Sequence, residues 1–197
     1  MNLALFDFDG TISTKDSYLL FTRFLQQKRF LVGCLLLSPR ILCFLARLYA
    51  NDRLKEDFLR VFYKGKTTEE LNSRAADFTA TLLPSIIRPK ALARIGWHQG
   101  RGDLTLVVSA SPRLILEPWC KEQEIPLIAT EIETDAHSRI TGKILGNNCR
   151  GREKVARIHD RYTLEEFDEI FAYGDSSGDL PMLALADPDK RFYKPFR

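Results

Sequence analysis

The chain opens on a short apolar run, Leu3-Ala4-Leu5-Phe6, that delivers Asp7, Phe8 and Asp9 into Gly10. That is the pattern of a buried strand ending in a sharp turn. From Ser13 to about Leu83 no convincing strand follows. Helical spacing recurs instead over residues 17–30, 54–62 and 68–83, and Thr67 standing three before Glu70 reads as a capping box. Residues 30–50 are almost continuously apolar and about as long as a membrane span, yet Pro39, Arg40 and Arg47 lie inside the stretch. Two short apolar helices meeting at Ser38-Pro39 are expected, either packed on each other and the core or facing lipid. Pro84 and Pro89 separate this block from a helix over 90–99, and Gly100-Arg101-Gly102-Asp103 turns into a strand over 104–108.

From there strands and helices alternate: helix 113–123, strand 127–129, a hairpin near 131–144, helix 152–161, strand 169–172 and helix 180–186. Apolar strands alternating with helices imply a parallel sheet covered on both faces. The expected fold is therefore α/β, a Rossmann-like parallel-sheet core built from residues 1–14 and 84–197, with residues 15–83 inserted as a helical cap. A chain of 197 residues has room for one core and a small insertion, but not for two full domains. In such sheets ligands sit beyond the carboxyl ends of the strands. Those ends carry Asp7, Ser109 and Asp175.

Composition narrows the function classes. With 45% hydrophobic and 28% charged residues the chain is ordinarily globular, and a formal net charge of +3 is too slight to argue for a nucleic-acid partner. Cys34, Cys43, Cys120 and Cys149 are scattered without metal-site spacing, which favours a reducing compartment. Asp7 and Asp9 would interrupt any apolar signal-peptide core, so a cytoplasmic location is expected.

Residues two apart on a strand face the same side, so Asp7 and Asp9 address one pocket if the extended backbone persists past the apolar run. Two carboxylates in one small pocket repel each other. A divalent cation such as Mg2+ relieves that repulsion and attracts phosphate. Taken singly, each feature has a plainer reading: a solvated Asp-x-Asp-Gly turn, an ordinary helix start at Ser109 to Pro112, a solvated Lys154, and a helix cap at Asp175 and Asp179.

Taken together, DFDGT at 7–11, VVSAS at 107–111, Cys149-Arg150-Gly151-Arg152-Glu153-Lys154 and YGDSSGD at 173–179 resemble the four motifs of the haloacid dehalogenase superfamily, in its order. The closest flavour is subfamily IB, which includes phosphoserine phosphatase and carries a helical (C1-type) cap between the first two motifs. The resemblance implies a Mg2+-dependent phosphomonoester hydrolase in which Asp7 attacks phosphorus to form an aspartyl-phosphate. It assigns Asp9 to protonation of the leaving alcohol and activation of water, with its backbone carbonyl on Mg2+. Ser109 would donate to a phosphate oxygen, with the N–H groups of Ala110 and Ser111 adding donors at the start of the next helix. Lys154 would balance charge on the nucleophile and the phosphoryl group. The implied metal set is Asp7, Asp9, Asp175 directly, and Asp179 through an intervening contact or water. Dehalogenases of the superfamily lack the second aspartate and the metal, so Asp9 argues for phosphoryl transfer.

Substrate residues match less closely. Asp16 stands about where phosphoserine phosphatases hold the substrate's amino group, but their cap arginine falls on Leu59, with Arg60 one place off. The apolar 30–50 block is more similar to the cap of bacterial phosphatidylglycerophosphate phosphatases, and Arg40, Arg47, Arg53 and Lys55 suit an anionic phospholipid headgroup at a membrane surface. The expected partner is thus a small phosphorylated substrate or such a headgroup, the latter implying peripheral attachment to the inner membrane face. A phosphotransferase or phosphomutase, in which another acceptor intercepts the same intermediate, is a further alternative, beside a non-catalytic phospholigand or membrane-surface module and an interaction protein docking through the apolar helices.

Overall fold

A computed structural model describes all residues from Met1 to Arg197. Leu3, Ala4, Leu5 and Phe6 have no solvent exposure and form the central strand β1 (Leu3–Phe6). It lies between β2 (Leu104–Pro112) and β5 (Ile170–Gly174), both parallel to it. Beyond β2 comes β3 (Leu127–Thr134), and beyond β5 the short β6 (Arg191–Tyr193). The antiparallel β4 (Ile140–Leu145) closes the β3 edge, giving the order β4-β3-β2-β1-β5-β6. The protein is therefore α/β with a mostly parallel six-stranded sheet.

Strand alternation divides the apolar residues of β1 between two layers. Ala4 and Phe6 join a cluster of 30 buried residues on one face, and Leu3 and Leu5 one of 11 on the other. Five helices lie between β1 and β2 in the chain, and the first four are α1 (Ser17–Leu25), α2 (Phe30–Leu45), α3 (Asn51–Phe62) and α4 (Thr68–Thr81). Their Phe21, Phe58, Phe62 and Phe78 belong to the larger cluster, so these four helices share their core with one face of the sheet. α5 (Pro89–Gly100), α6 (Arg113–Glu122), α7 (Arg152–His159) and the short α8 (Leu180–Leu183) complete the α/β alternation.

Several boundaries differ from expectation for local reasons. Thr67 caps α4 by accepting the Glu70 N–H at 3.2 Å, but Glu70 turns to the Lys66 ammonium, so the box closes on one side only. A 3-10 turn over Leu83–Ile86, with Pro84 in its first positions, ends the pattern expected to run on to 83. The largest difference is α2. Residues 30–45 form one continuous helix through Pro39, not two helices meeting there. Proline removes the N–H that would bond the Leu35 carbonyl, and Ser38 Oγ donates to that carbonyl instead, at 2.7 Å. α2 seats on α3 through Gly33, where an added Cβ would overlap the Phe62 ring. No helix of the protein is long and apolar enough to cross a membrane.

Candidate active site

The carboxyl ends of β1, β2 and β5 converge on one cavity of about 180 Å³. Asp7 is its first member. Its N–H donates to the Tyr173 carbonyl at 2.9 Å, which ties it to the end of β5. Gly10 then turns the chain with φ +87°, and an added Cβ there would collide with the Asp175 carboxylate. Glycine is required both for the angle and for the approach.

Lys154, on α7, is 1% exposed and reaches through the sheet end to three acceptors. Its ammonium lies 2.6 Å from Asp7 Oδ1, 2.7 Å from Asp179 Oδ1 and 2.7 Å from the Val108 carbonyl. One cation thus faces two buried carboxylates, and their surroundings decide how the charge divides. Asp179 Oδ2 also accepts the N–H groups of Asp175 and Ser176 and the Ser176 hydroxyl. Burial raises the Asp179 carboxyl, but Lys154 and these donors outweigh it and hold it below the ordinary carboxylate range. Asp7 has only Lys154 and the Thr11 hydroxyl, the latter at 3.2 Å. Burial, opposed by Lys154 and reinforced by Asp179, pushes Asp7 up to about 7. Burial also works against the Lys154 charge, but Asp7 and Asp179 prevail and hold the ammonium above its usual value.

Asp9 lines the same cavity on separate supports. Its Oδ1 accepts the Ser17 N–H at 2.7 Å and its Oδ2 the Ser111 hydroxyl at 2.5 Å. Burial and then the Asp16 charge push it up to about 6, against the pull of these donors. Asp16 is exposed at the rim, where its Oδ1 caps α1 through the Leu19 N–H. One carboxyl oxygen is committed to the helix.

Ser109 is 1% exposed, and the β2–β3 ladder slips between Ser109 and Pro112. The irregularity turns Ala110 and Ser111 toward the cavity, which both line. They belong to the strand end and not to the first turn of a helix as expected, because α6 begins only at Arg113. The Ser111 N–H is already donated to Ser109 Oγ at 3.0 Å, so it is not a spare phosphate donor.

Carboxylate oxygens of Asp7, Asp175 and Asp179 lie within 4.8 Å of one another. A hard, all-oxygen set of this kind suits Mg2+, and the absence of a side chain at Gly10 leaves the space that Asp175 needs. The residues present fit the ion. Asp175 Oδ2 is held at 2.6 Å by Arg197, which neutralises it, while the Asp179 Oδ2 is filled by its three donors. The Asp9 carboxylate stands apart from the trio on Ser17 and Ser111.

Sequence reasoning left several roles at the cavity unassigned, and for Ser111 it named the N–H but not the hydroxyl that holds Asp9. Thr11, Ser17 and Ser111 orient the two leading carboxylates through hydroxyl or N–H donors. Thr11 and Ser17 stand behind the cavity, whereas Tyr18, Asn51, Lys55, Arg150 and Ser176 line it with Ser111. A serine two after Ser109 was a local signal for Ser111. None existed for Asn51, while Lys55 was named only as a cation suited to a phospholipid headgroup and not as a neighbour of Asp7 and Asp9; both arrive from α3.

Carboxylates, a buried lysine and hydroxyl groups gathered beyond the ends of parallel strands define the class: a phosphatase-like hydrolase. The chain belongs to the haloacid dehalogenase-like hydrolase family, whose model matches residues 4–184. Protein CicA of Caulobacter vibrioides is 36% identical over 200 residues, covering 99% of this chain and 86% of the relative. A histidinol-phosphatase of Neisseria meningitidis serogroup C is 30% identical over 194 residues, covering 93% and 86%. Among solved structures, a Bordetella pertussis Tohama I protein of unknown function has a TM-score of 0.82 at 23% identity, over 94% of this chain and 86% of that one. A phosphoserine phosphatase holding a phospho-aspartyl intermediate analogue has a TM-score of 0.65 at 15% identity, over 94% and 83%. These two structures share the fold.

Proposed function

We propose that the protein is a Mg2+-dependent phosphomonoester hydrolase that works through an aspartyl-phosphate on Asp7. The observation that carries this reading is the Lys154 ammonium bonded to Asp7 in a cavity that also holds Asp9 and Ser109. Asp7 attacks phosphorus as the bond to the leaving alcohol breaks, and Asp9 gives its proton to that oxygen. A carboxyl poised near 6 changes protonation state readily around neutral pH. Water then attacks the phosphoryl group, its proton passes to Asp9, and Asp7 is regenerated as inorganic phosphate leaves. Lys154 stays beside Asp7 throughout because the Val108 carbonyl and Asp179 anchor it. The Ser109 hydroxyl faces the transferred group as a donor. Asp7, Asp175 and the Asp9 carbonyl, with Asp179 behind them, would hold Mg2+, which would supply the positive charge that screens carboxylate from phosphate.

Phosphate release should require Mg2+ and stop on chelation, with water as the acceptor by product analysis. Release unaffected by chelation overturns the metal assignment, and transfer to a second alcohol would make the protein a phosphotransferase. A small soluble ester fits the cavity volume and matches the substrate in the name of the Neisseria relative; Asp16 at the rim suits the amino group of such an ester.

A second reading, a lipid phosphate phosphatase at a membrane surface, is favoured by the outer face of α2. Leu31, Leu35, Leu42 and Leu45 are 66–77% exposed there. Between Asp16 and Asp52 the chain carries no carboxylate, while Lys28, Arg29 and Arg47 are exposed cations. Arg40 is engaged with Asp57 at 3.3 Å. On this reading the protein sediments with vesicles of phosphatidylglycerol and phosphatidylcholine, less with phosphatidylcholine alone, and Leu35→Glu with Leu42→Glu abolishes sedimentation. A protein that stays in the supernatant with both vesicle types excludes it.

A further inference from the structure

We infer that the cavity holds a second anion-binding position, built on Lys55, so that its preferred phosphomonoesters carry another acidic group on the leaving alcohol. The inference rests on the hydrolase reading above and specifies its substrate class.

Lys55 and Asn51 are one turn apart on α3, and both line the cavity that contains Asp7 and Asp9. The two cavity lysines are compensated very differently. Lys154 is bonded to two carboxylates. The Lys55 ammonium donates at 2.6 Å to the Ala110 carbonyl and at 2.5 Å to Asn148 Oδ1, both neutral, and no carboxylate oxygen comes within 4.0 Å of it. An ammonium has three N–H donors, so one remains for the cavity.

The neutral partners are themselves fixed. Thr130 Oγ lies 2.7 Å from the Ala110 carbonyl oxygen and 2.9 Å from Asn148 Oδ1, so its one proton bonds one of the two and packs against the other. The Asn148 amide nitrogen donates to Asn51 Oδ1 at 3.1 Å and Asp52 Oδ1 at 2.7 Å, which settles which end of the amide faces Lys55. The lysine is therefore held from behind in one position, beside the β2 end where Ser109 lies. Burial pulls its ammonium down to about 8, against the distant charges of Asp16, Asp9 and Asp52. A desolvated cation with no carboxylate bonded to it gains most from an anion brought by the ligand. Arg150, packed over Gly178, is a second lining cation without a carboxylate partner. Asp9 and Asp16 face the cavity as well, so the extra acid belongs on the Lys55 and Arg150 side. In about 180 Å³ it must lie within a few bonds of the ester oxygen.

Three esters on one carbon skeleton test this: glycerol 1-phosphate, 3-phosphoglycerate and glycerol 1,3-bisphosphate. Their affinities for the Asp7→Asn protein with Mg2+ are measured by calorimetry, so that the readout does not depend on turnover. The carboxylate or the second phosphate should improve affinity about tenfold or more over glycerol 1-phosphate, and the better of the two identifies the acid. Adding Lys55→Met should erase that preference while changing glycerol 1-phosphate affinity less than about threefold, and Lys55→Arg should retain it. Absence of a preference, its survival in Lys55→Met, or an equal loss for all three esters overturns the inference. Turnover of glycerol 1-phosphate by the unaltered protein would leave the hydrolase reading standing in each of those cases, whereas no binding of any ester removes both.

Discussion

Asp7→Asn should lower phosphate release on the order of 10⁴-fold or more while leaving the protein folded. Asparagine keeps the shape and can still accept from Lys154, which retains the Val108 carbonyl and Asp179. What it loses is the oxygen proposed to attack phosphorus. Stability moves the other way in the absence of divalent ions. The Asp7 carboxyl is raised in the folded protein from 3.8 to about 7. A raised carboxyl favours the folded state while it is protonated, and that contribution is lost as pH rises through the folded value. Asparagine does not titrate, so the variant should gain on the unaltered protein between pH 5 and pH 8. Thermal melts at those two pH values, with single-turnover phosphate release, test both parts. Undiminished release eliminates Asp7 as nucleophile, and a variant that loses ground towards pH 8 contradicts the account of its burial.

Lys154→Met should be the most damaging substitution for stability, at about 3–5 kcal/mol, because it strands two buried carboxylates. Asp7 and Asp179 then face each other with hydrogen-bond donors but no cation. The Lys154 ammonium is raised above its ordinary value, so its contribution is complete at neutral pH and would fade only in strong alkali. The deficit therefore comes from the carboxylates left behind, and protonating them relieves it. Denaturant unfolding without divalent ions should show a larger loss at pH 8 than at pH 5. A deficit that is equal at both, or larger at pH 5, would assign the effect to lost packing of the lysine stem. Phosphate release should fall by about 10³-fold, since the charge facing the phosphoryl group is gone.

How far such residues can be read from the chain depends on the range of the interaction that places them. β1 is legible because four consecutive apolar residues buried on both faces leave no other assignment, and the turn at Gly10 follows from the letters around it. Alternating strand and helix periods mark the parallel sheet, and hence the end at which Asp7, Ser109 and Asp175 emerge. Lys154 was legible only through the resemblance of its segment, since a lysine near a helix start has no local mark of burial. β6 was missed because three residues, Arg191, Phe192 and Tyr193, carry too short a pattern to separate from loop. α2 was divided at Pro39 because proline ends most helices, and the compensating bond from Ser38 is invisible until the rotamer is known.

By itself, then, the sequence determined the element types, the sheet class and the leading acidic residues, through local periodicity and turn chemistry that act within a few positions. Tertiary structure alone decided that Lys154 bridges Asp7 and Asp179, that Ser111 holds Asp9, and that Lys55 meets Ala110 and Asn148. Those pairs lie between 25 and 147 positions apart in the chain, and only the closing of the sheet and its inserted helices brings them within hydrogen-bond reach.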